Sequence, residues 1–234
     1  MMQAVLLAAG FGTRLGDLTR DTPKCLIDVG GRPMLEHWLA KLVDVGVDHV
    51  FVNTHYLAEH VTAYLQSCSY SDIVEAVYEP TLLGTAGTIG ALRNRLTADE
   101  VLVAHADNYF TDTLHVLVAT HRARPADAVV TVGLFESTTP RSCGIVELDD
   151  RNMIVGFEEK PDNPKSSLAN AAVYIFSQAG LDAVGNAADL STEVLPKLIG
   201  HMFGFRFVGI FEDIGTPESL QRARDMGGIV NRND

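Results

Sequence analysis

The chain has 234 residues, 47% of them apolar, and a formal net charge of −12. That length suits one large domain, or one domain with a small lobe, with ample material for a core. With no Lys/Arg cluster it is not built for nucleic acid, whose affinity comes mainly from phosphate neutralisation, and no stretch approaches the ~20 apolar residues of a membrane span.

The first predicted element is a buried strand over Gln3–Ala8, which empties into Gly10-Phe11-Gly12-Thr13-Arg14-Leu15. Gly10 and Gly12 let the backbone turn tightly and approach a ligand, since no Cβ intervenes. N–H groups exposed in such a turn form a concave anion site. Arg14 and Lys24, the latter after Thr22-Pro23, add fixed positive charge. Strand, glycine turn, arginine and lysine together are what binding a nucleoside triphosphate requires. The Walker phosphate loop is excluded because Thr13-Arg14, not Lys-Ser/Thr, follows Gly12. The dinucleotide fingerprint fails because Leu15 stands where its third glycine belongs.

A helix follows over Pro33–Val45, with Leu35, Trp38, Leu39 and Leu42 at helical spacing and Pro33 in the first turn. His49–Asn53 reads as a strand, Leu57–Gln66 as a helix and Ile73–Tyr78 as a strand. Thr85 is positioned to cap a helix running to Leu96. Val101–His105 is a strand that ends at Asp107, Asp112–His121 a helix, and Ala128–Leu134 a strand. This order predicts an α/β, Rossmann-like fold: a mostly parallel sheet with helices on both faces. Ligands of such sheets gather at the carboxyl ends of strands, where the Gly10 turn and Asp107 both fall.

After Pro140 the rhythm changes. Gly144–Leu148 and Met153–Phe157 read as a hairpin. A polar loop (Pro161–Ser167), a strand (Ala172–Phe176), a helix (Ser191–Ile199, capped by Ser191 or Asp189), a strand (Phe205–Phe211) and a helix (Pro217–Met226) complete the chain. Cys25, Cys68 and Cys143 have no metal-ligand spacing, which fits a reduced cytoplasmic setting. The N-terminal apolar run is short, lacks a basic leader and breaks at Gly10, unlike a signal peptide.

Six segments in order resemble one family. The Gly10–Leu15 turn with Pro23-Lys24 resembles the signature loop of the sugar-1-phosphate nucleotidyltransferases, the NDP-sugar pyrophosphorylases. Leu83-Gly84-Thr85-Ala86-Gly87 resembles their second nucleotide loop, and Ala106-Asp107 their Gly-Asp metal site. Gly156–Pro161 resembles their F-x-E-K-P element, Asn170–Tyr174 their N-A-G-x-Y strand, and Glu212–Pro217 their D-I-G-T-P element. The departures are Asp17 for Pro, Cys25 for the Pro after Pro-Lys, and Ala106 and Ala172 for glycines. The two lost glycines are expected to narrow the site.

The resemblance implies transfer of a nucleotidyl group from an NTP to a sugar-1-phosphate, with Mg²⁺ held by Asp107 and Asp213. Arg14 would hold the β- and γ-phosphates and Lys24 would lie near the α-phosphate. Leu7, Ala8, Ala9, Gly10, Gly12, Thr13, Gly84 and Thr85 would complete the nucleotide site. Gly144 would let backbone approach the sugar, Lys160 would bind its phosphate, and Glu159 and Asn170 its hydroxyls. Of the adjacent Glu158 and Glu159, the pattern favours Glu159 inward.

The resemblance divides the domain into a nucleotide-binding core (1–139), an inserted sugar-phosphate-binding lobe (140–213) and a terminal helix (214–234), with no room for the C-terminal β-helix of some members. The L-G-T-A-G form, with Leu82 about where uridylyl forms carry Gln, favours GTP, with mannose- or heptose-1-phosphate as acceptor. A UTP-dependent uridylyltransferase remains an alternative. So does a phosphocholine cytidylyltransferase-like enzyme, because Ala106-Asp107-Asn108-Tyr109 resembles the A-D-N-Y run of those proteins. A non-catalytic sensor of an NDP-sugar is the third, and a homo-oligomer stays open. His105 reads as a packed strand-end residue, Trp38 as core, and Cys25 as having no nucleophilic role.

Overall fold

The computed structural model describes residues 1–230. In chain order the strands are β1 (Met2–Leu7), β2 (Asp28–Val29), β3 (Arg32–Pro33), β4 (His49–Thr54), β5 (Val74–Tyr78), β6 (Glu100–His105), β7 (Asn108–Phe110), β8 (Val130–Glu136), β9 (Gly144–Leu148), β10 (Ile154–Glu159), β11 (Leu168–Ser177), β12 (Met202–Arg206) and β13 (Phe211–Asp213). The α-helices are α1 (Met34–Asp44), α2 (Ala58–Ser67), α3 (Gly84–Leu92), α4 (Leu114–Arg122), α5 (Gln178–Asp182) and α6 (Pro217–Val230). The α/β, Rossmann-like class expected from the alternating pattern is the one the chain adopts. Among the described residues no helix is long and apolar enough to cross a membrane.

Two compact units form. The first comprises Met1–Gln3, Leu83–Ala104 and Asp112–Val208; the second comprises Ala4–Leu82, His105–Thr111 and Gly209 onward. In the second unit β1, β4 and β5 lie side by side, β4 parallel to β5. Helix α1 buries Leu35, Trp38, Leu39 and Leu42 completely, as its periodicity predicts. Trp38 packs edge-on against Phe110, 5.0 Å between ring centroids, so it is core. Pro33 lies just outside α1, at its N-cap. Two short ladders escaped the sequence reading: the hairpin β2–β3 and the antiparallel pair β7–β13.

In the first unit β11 is the hub. It runs antiparallel to β6, β8 and β9; β10 pairs antiparallel with β9, and β12 pairs parallel with β8. The expected strand Phe205–Phe211 is two strands instead. Met202–Arg206 pairs with Val130–Leu134, while Phe211–Asp213 pairs with Asn108–Phe110. The intervening Val208 is 93% exposed, so apolarity there does not report burial. The expected helix Ser191–Ile199 is a π-turn over Leu190–Val194 followed by a 3₁₀ turn over Leu195–Leu198. Pro196 lacks the N–H that a continuous α-helix would use. Asp189 caps this segment, accepting from Thr192 N at 2.9 Å.

Candidate functional site

The glycine turn follows β1 directly. Gly12 has a left-handed φ of +66°, and a Cβ there would sit 2.8 Å from Thr19 Cγ2, so only glycine fits. Thr19 Oγ1 donates to Gly12 O at 3.0 Å and to Gly16 O at 3.1 Å, holding Thr13–Thr19 as a 3₁₀ segment kinked at Gly16, whose φ is +57°. Gly10 differs from the expectation of a tight turn. Its φ is not left-handed, and a Cβ there would meet nothing within 4 Å. The fold does not require glycine at position 10; what remains is the open approach it leaves to a ligand. Leu7, Ala8, Gly10, Lys24, Cys25, Ala106 and Asp107 line one small pocket. Ala9 is buried behind the turn, and Thr13 begins the 3₁₀ segment.

Four charged residues converge within this unit. Asp107 precedes β7 and Asp213 ends β13. Pairing of Asp213 with Asn108, and a hydrogen bond from Ile214 N to Asp107 O at 3.0 Å, set the two carboxylates together. Lys24, only 8% exposed, bridges them: its Nζ lies 2.5 Å from Asp107 Oδ2 and 3.1 Å from Asp213 Oδ1. Arg14 Nη2 lies 3.5 Å from Asp213 Oδ2. Burial alone would raise the Asp107 carboxyl, but Lys24, His105 and the lysine hydrogen bond outweigh it and hold the group below its ordinary value. Burial pushes the neighbouring Cys25 thiol up to about 12, so it stays protonated and is no nucleophile.

This donor set fits a divalent cation. Two carboxylates already converge on one positive charge, and Mg²⁺ characteristically takes one or two carboxylates together with phosphate oxygens and water. Gly215 is a residue the sequence reading did not single out. A Cβ there would lie 2.5 Å from Arg14 Nη2 and 2.9 Å from Asp213 Oδ1, so its bareness seats the arginine beside the aspartate.

In the first unit, Gly84 opens α3 with φ +80°, and a Cβ there would collide with Ala188 O. Thr85 is not the helix cap, since Leu83 takes that position without a side-chain bond. The Thr85 hydroxyl instead donates to Asp189 Oδ2 at 3.2 Å and accepts from Leu190 N at 2.8 Å. Its side chain anchors the Ala188–Leu190 turn.

Gly144 pairs with Glu159 across β9–β10. A Cβ at 144 would meet Glu159 Oε2 at 2.7 Å and Phe157 Cζ at 2.8 Å, so this glycine makes room for the glutamate and the ring rather than directly for a sugar. Glu158 is exposed, while the Glu159 carboxylate lies over Gly144. Lys160, 65% exposed at its side chain, stands 3.5 Å from Glu159 Oε1. Its φ is +47°, uncommon for a non-glycine residue, and Lys160 N donates to Cys143 O at 3.0 Å. Such a conformation persists only where surroundings over-determine it, often at ligand sites. Asn170 donates to Tyr174 Oη at 2.7 Å and accepts from Ala172 N at 2.9 Å.

The model of the family described as nucleotidyl transferase matches residues 3–226. The mannose-1-phosphate guanylyltransferase of Mycobacterium tuberculosis is 32% identical over 94% of this chain and 63% of its own length. A proposed mannose-1-phosphate guanyltransferase of Sulfolobus acidocaldarius is 27% identical over 95% of this chain and 62% of its own. The chain thus spans under two thirds of these relatives. The solved structure of a proposed glucose-1-phosphate thymidylyltransferase from Bacillus anthracis is 25% identical and superposes with a TM-score of 0.86, covering 97% of this chain and 96% of that one.

Proposed function

Within the nucleotidyl transferase family, to which this chain belongs, we propose that it transfers a nucleotidyl group from an NTP to a sugar-1-phosphate, releasing pyrophosphate. The observation that carries this reading is the convergence of Arg14, Lys24, Asp107 and Asp213 beside the glycine turn. A phosphate oxygen of the sugar phosphate attacks the α-phosphorus of the NTP. The bond from that phosphorus to the bridging oxygen breaks, and the electron pair leaves with pyrophosphate. The nucleophile is already anionic, so no general base is needed. The difficulty is aligning like charges, which makes positioning and electrostatic stabilisation the main sources of rate.

Arg14 offers a planar fork suited to two phosphate oxygens. Lys24 supplies a compact charge near the α-phosphate. Asp107 and Asp213 would hold Mg²⁺, which when bound offsets charge on phosphate oxygens. Lys160, Glu159 and Asn170 are assigned to the sugar phosphate, the lysine as a point charge. GTP and mannose-1-phosphate are the favoured pair. The two guanylyltransferase relatives support that choice. The thymidylyltransferase likeness supports the chemistry without the base.

The test is pyrophosphate release with Mg²⁺ across five nucleotides (GTP, ATP, UTP, CTP, dTTP) and a panel of sugar-1-phosphates plus phosphocholine. Release with GTP and mannose-1-phosphate is expected. Release only with CTP and phosphocholine would replace the acceptor. Binding of an NDP-sugar without any release would mark a sensor.

A further inference from the structure

Asn53 follows the apolar run Val50-Phe51-Val52 as the penultimate residue of β4, and Glu79 follows β5. Their side chains are buried, at 5% and 2% exposure. Asn53 Oδ1 accepts from Ala8 N at 2.6 Å, and Asn53 Nδ2 donates to Glu79 Oε1 at 3.0 Å. Glu79 N continues the parallel ladder by donating to Thr54 O at 2.8 Å. A second line runs from the same residue. Glu79 O pairs with His55 Nδ1 at 2.8 Å, and the His55 ring meets Phe11 of the glycine turn edge-on at 5.5 Å. Tyr56 donates to Thr19 O at 2.9 Å and to Arg20 O at 3.0 Å, and its ring tilts against Phe11. The residues leaving β4 thus grip the nucleotide turn at Ala8, at Phe11 and at the end of the 3₁₀ segment.

The polarity of this relay is fixed by chemistry. An asparagine amide has an acceptor and a donor end of nearly the same shape, and its orientation follows from its neighbours. Ala8 N can only donate, and the Asn53 Nδ2 donor faces Glu79 Oε1. Flipping Asn53 would face donor with donor and acceptor with acceptor. In a low-dielectric interior both mismatches are costly. Ala8 is therefore held in one orientation, and a segment ordered beforehand loses less freedom when a ligand arrives.

We propose that Asn53 and Glu79 are positioning residues for the nucleotide loop. They act through Ala8 to set affinity for the NTP, without touching the charged cluster at Lys24. The inference rests on the function proposed above. It is tested by binding of fluorescent analogues of the five nucleotides in the absence of sugar phosphate, alongside melting temperature and the KM for each substrate. Asn53→Asp keeps the acceptor for Ala8 N but sets a like charge against Glu79; Glu79→Gln keeps the shape and removes the charge.

The expected result is a nucleotide Kd raised about tenfold or more by Asn53→Asp and about threefold or more by Glu79→Gln. The sugar-phosphate KM should stay within about twofold. If Asn53→Asp does not fold, the conservative Glu79→Gln variant decides alone. Lower melting temperatures with unchanged nucleotide Kd would overturn the inference and leave a purely structural role. No nucleotide binding by the unaltered protein would overturn the function reading and this inference with it, whereas undiminished binding by the variants overturns only the inference.

Discussion

Lys24 Nζ lies 2.5 Å from Asp107 Oδ2 across 83 residues of sequence, and the same ammonium reaches Asp213. The lysine thus stands between the two carboxylates proposed to hold the divalent cation. Removing the ammonium should leave a vacant, doubly anionic site. Lys24→Met is expected to bind Mn²⁺ more tightly than the unaltered protein in the absence of NTP, by titration calorimetry. Its turnover should fall roughly a hundredfold or more, the usual scale for losing a preorganised charge at a reacting centre. Mn²⁺ affinity that is unchanged or weaker would mean that the lysine does not compete for the cation position.

Gly215 bears on the same cluster from outside the set of charged residues. A methyl at this position would displace the Arg14 guanidinium and crowd Asp213 Oδ1. The displaced atoms are the ends of side chains about half exposed or more, so they can move at little cost to the fold. Gly215→Ala should therefore keep its melting temperature within a few degrees while kcat/KM for the NTP falls about tenfold or more. A loss of stability with intact kcat/KM would place Gly215 in the fold rather than in the site.

The contrast between Gly10 and Gly12 shows what the sequence could carry. Both read alike in the motif, yet only Gly12 has a left-handed φ and a Cβ-excluding neighbour. Helix α1 was legible because one buried face imposes a period. Asp107 and Asp213 were legible as strand-end carboxylates. Their meeting was implied by the family resemblance but not by patterning, because it depends on the three-residue ladder β7–β13, too short to leave a periodic pattern. Asn53 and Glu79 escaped because hydrophobic patterning reports burial of apolar groups only. The available signal was an Asn directly after the apolar run Val50-Phe51-Val52. The run Phe205–Phe211 misled for the converse reason, since its apolar residues serve two ladders and an exposed link.

Ala172 stands where the resembling family carries glycine, and its φ is +50°. The register of β11 on β8 shifts between Asn170 and Tyr174 at this point. A left-handed conformation costs an L-residue about 1–2 kcal/mol, while glycine brings an entropic penalty of about 0.5–1 kcal/mol. Ala172→Gly should stabilise the protein by about 0.5–1 kcal/mol, read as a higher urea midpoint at unchanged m-value. A lower midpoint would show that packing of the methyl outweighs the relief of the backbone.

His121 is fully buried on α4, with Nδ1 on Thr131 Oγ1 at 2.8 Å and Nε2 without a hydrogen-bond partner among the described residues. Burial first, and then the charge of Arg124, lowers its pKa to about 4. The unfolded chain protonates near pH 6.5. Because the folded value is depressed, this contribution is fully present above the unfolded pKa. It declines as pH falls through the window and is lost by about pH 4. The slope is about 1.4 kcal/mol per pH unit. Between pH 7.5 and pH 5.0 the unaltered protein should lose about 2 kcal/mol more stability than His121→Gln, which has no proton to take up there. Urea unfolding at the two pH values reads this difference, and parallel losses in both proteins would mean that other groups set the acid sensitivity.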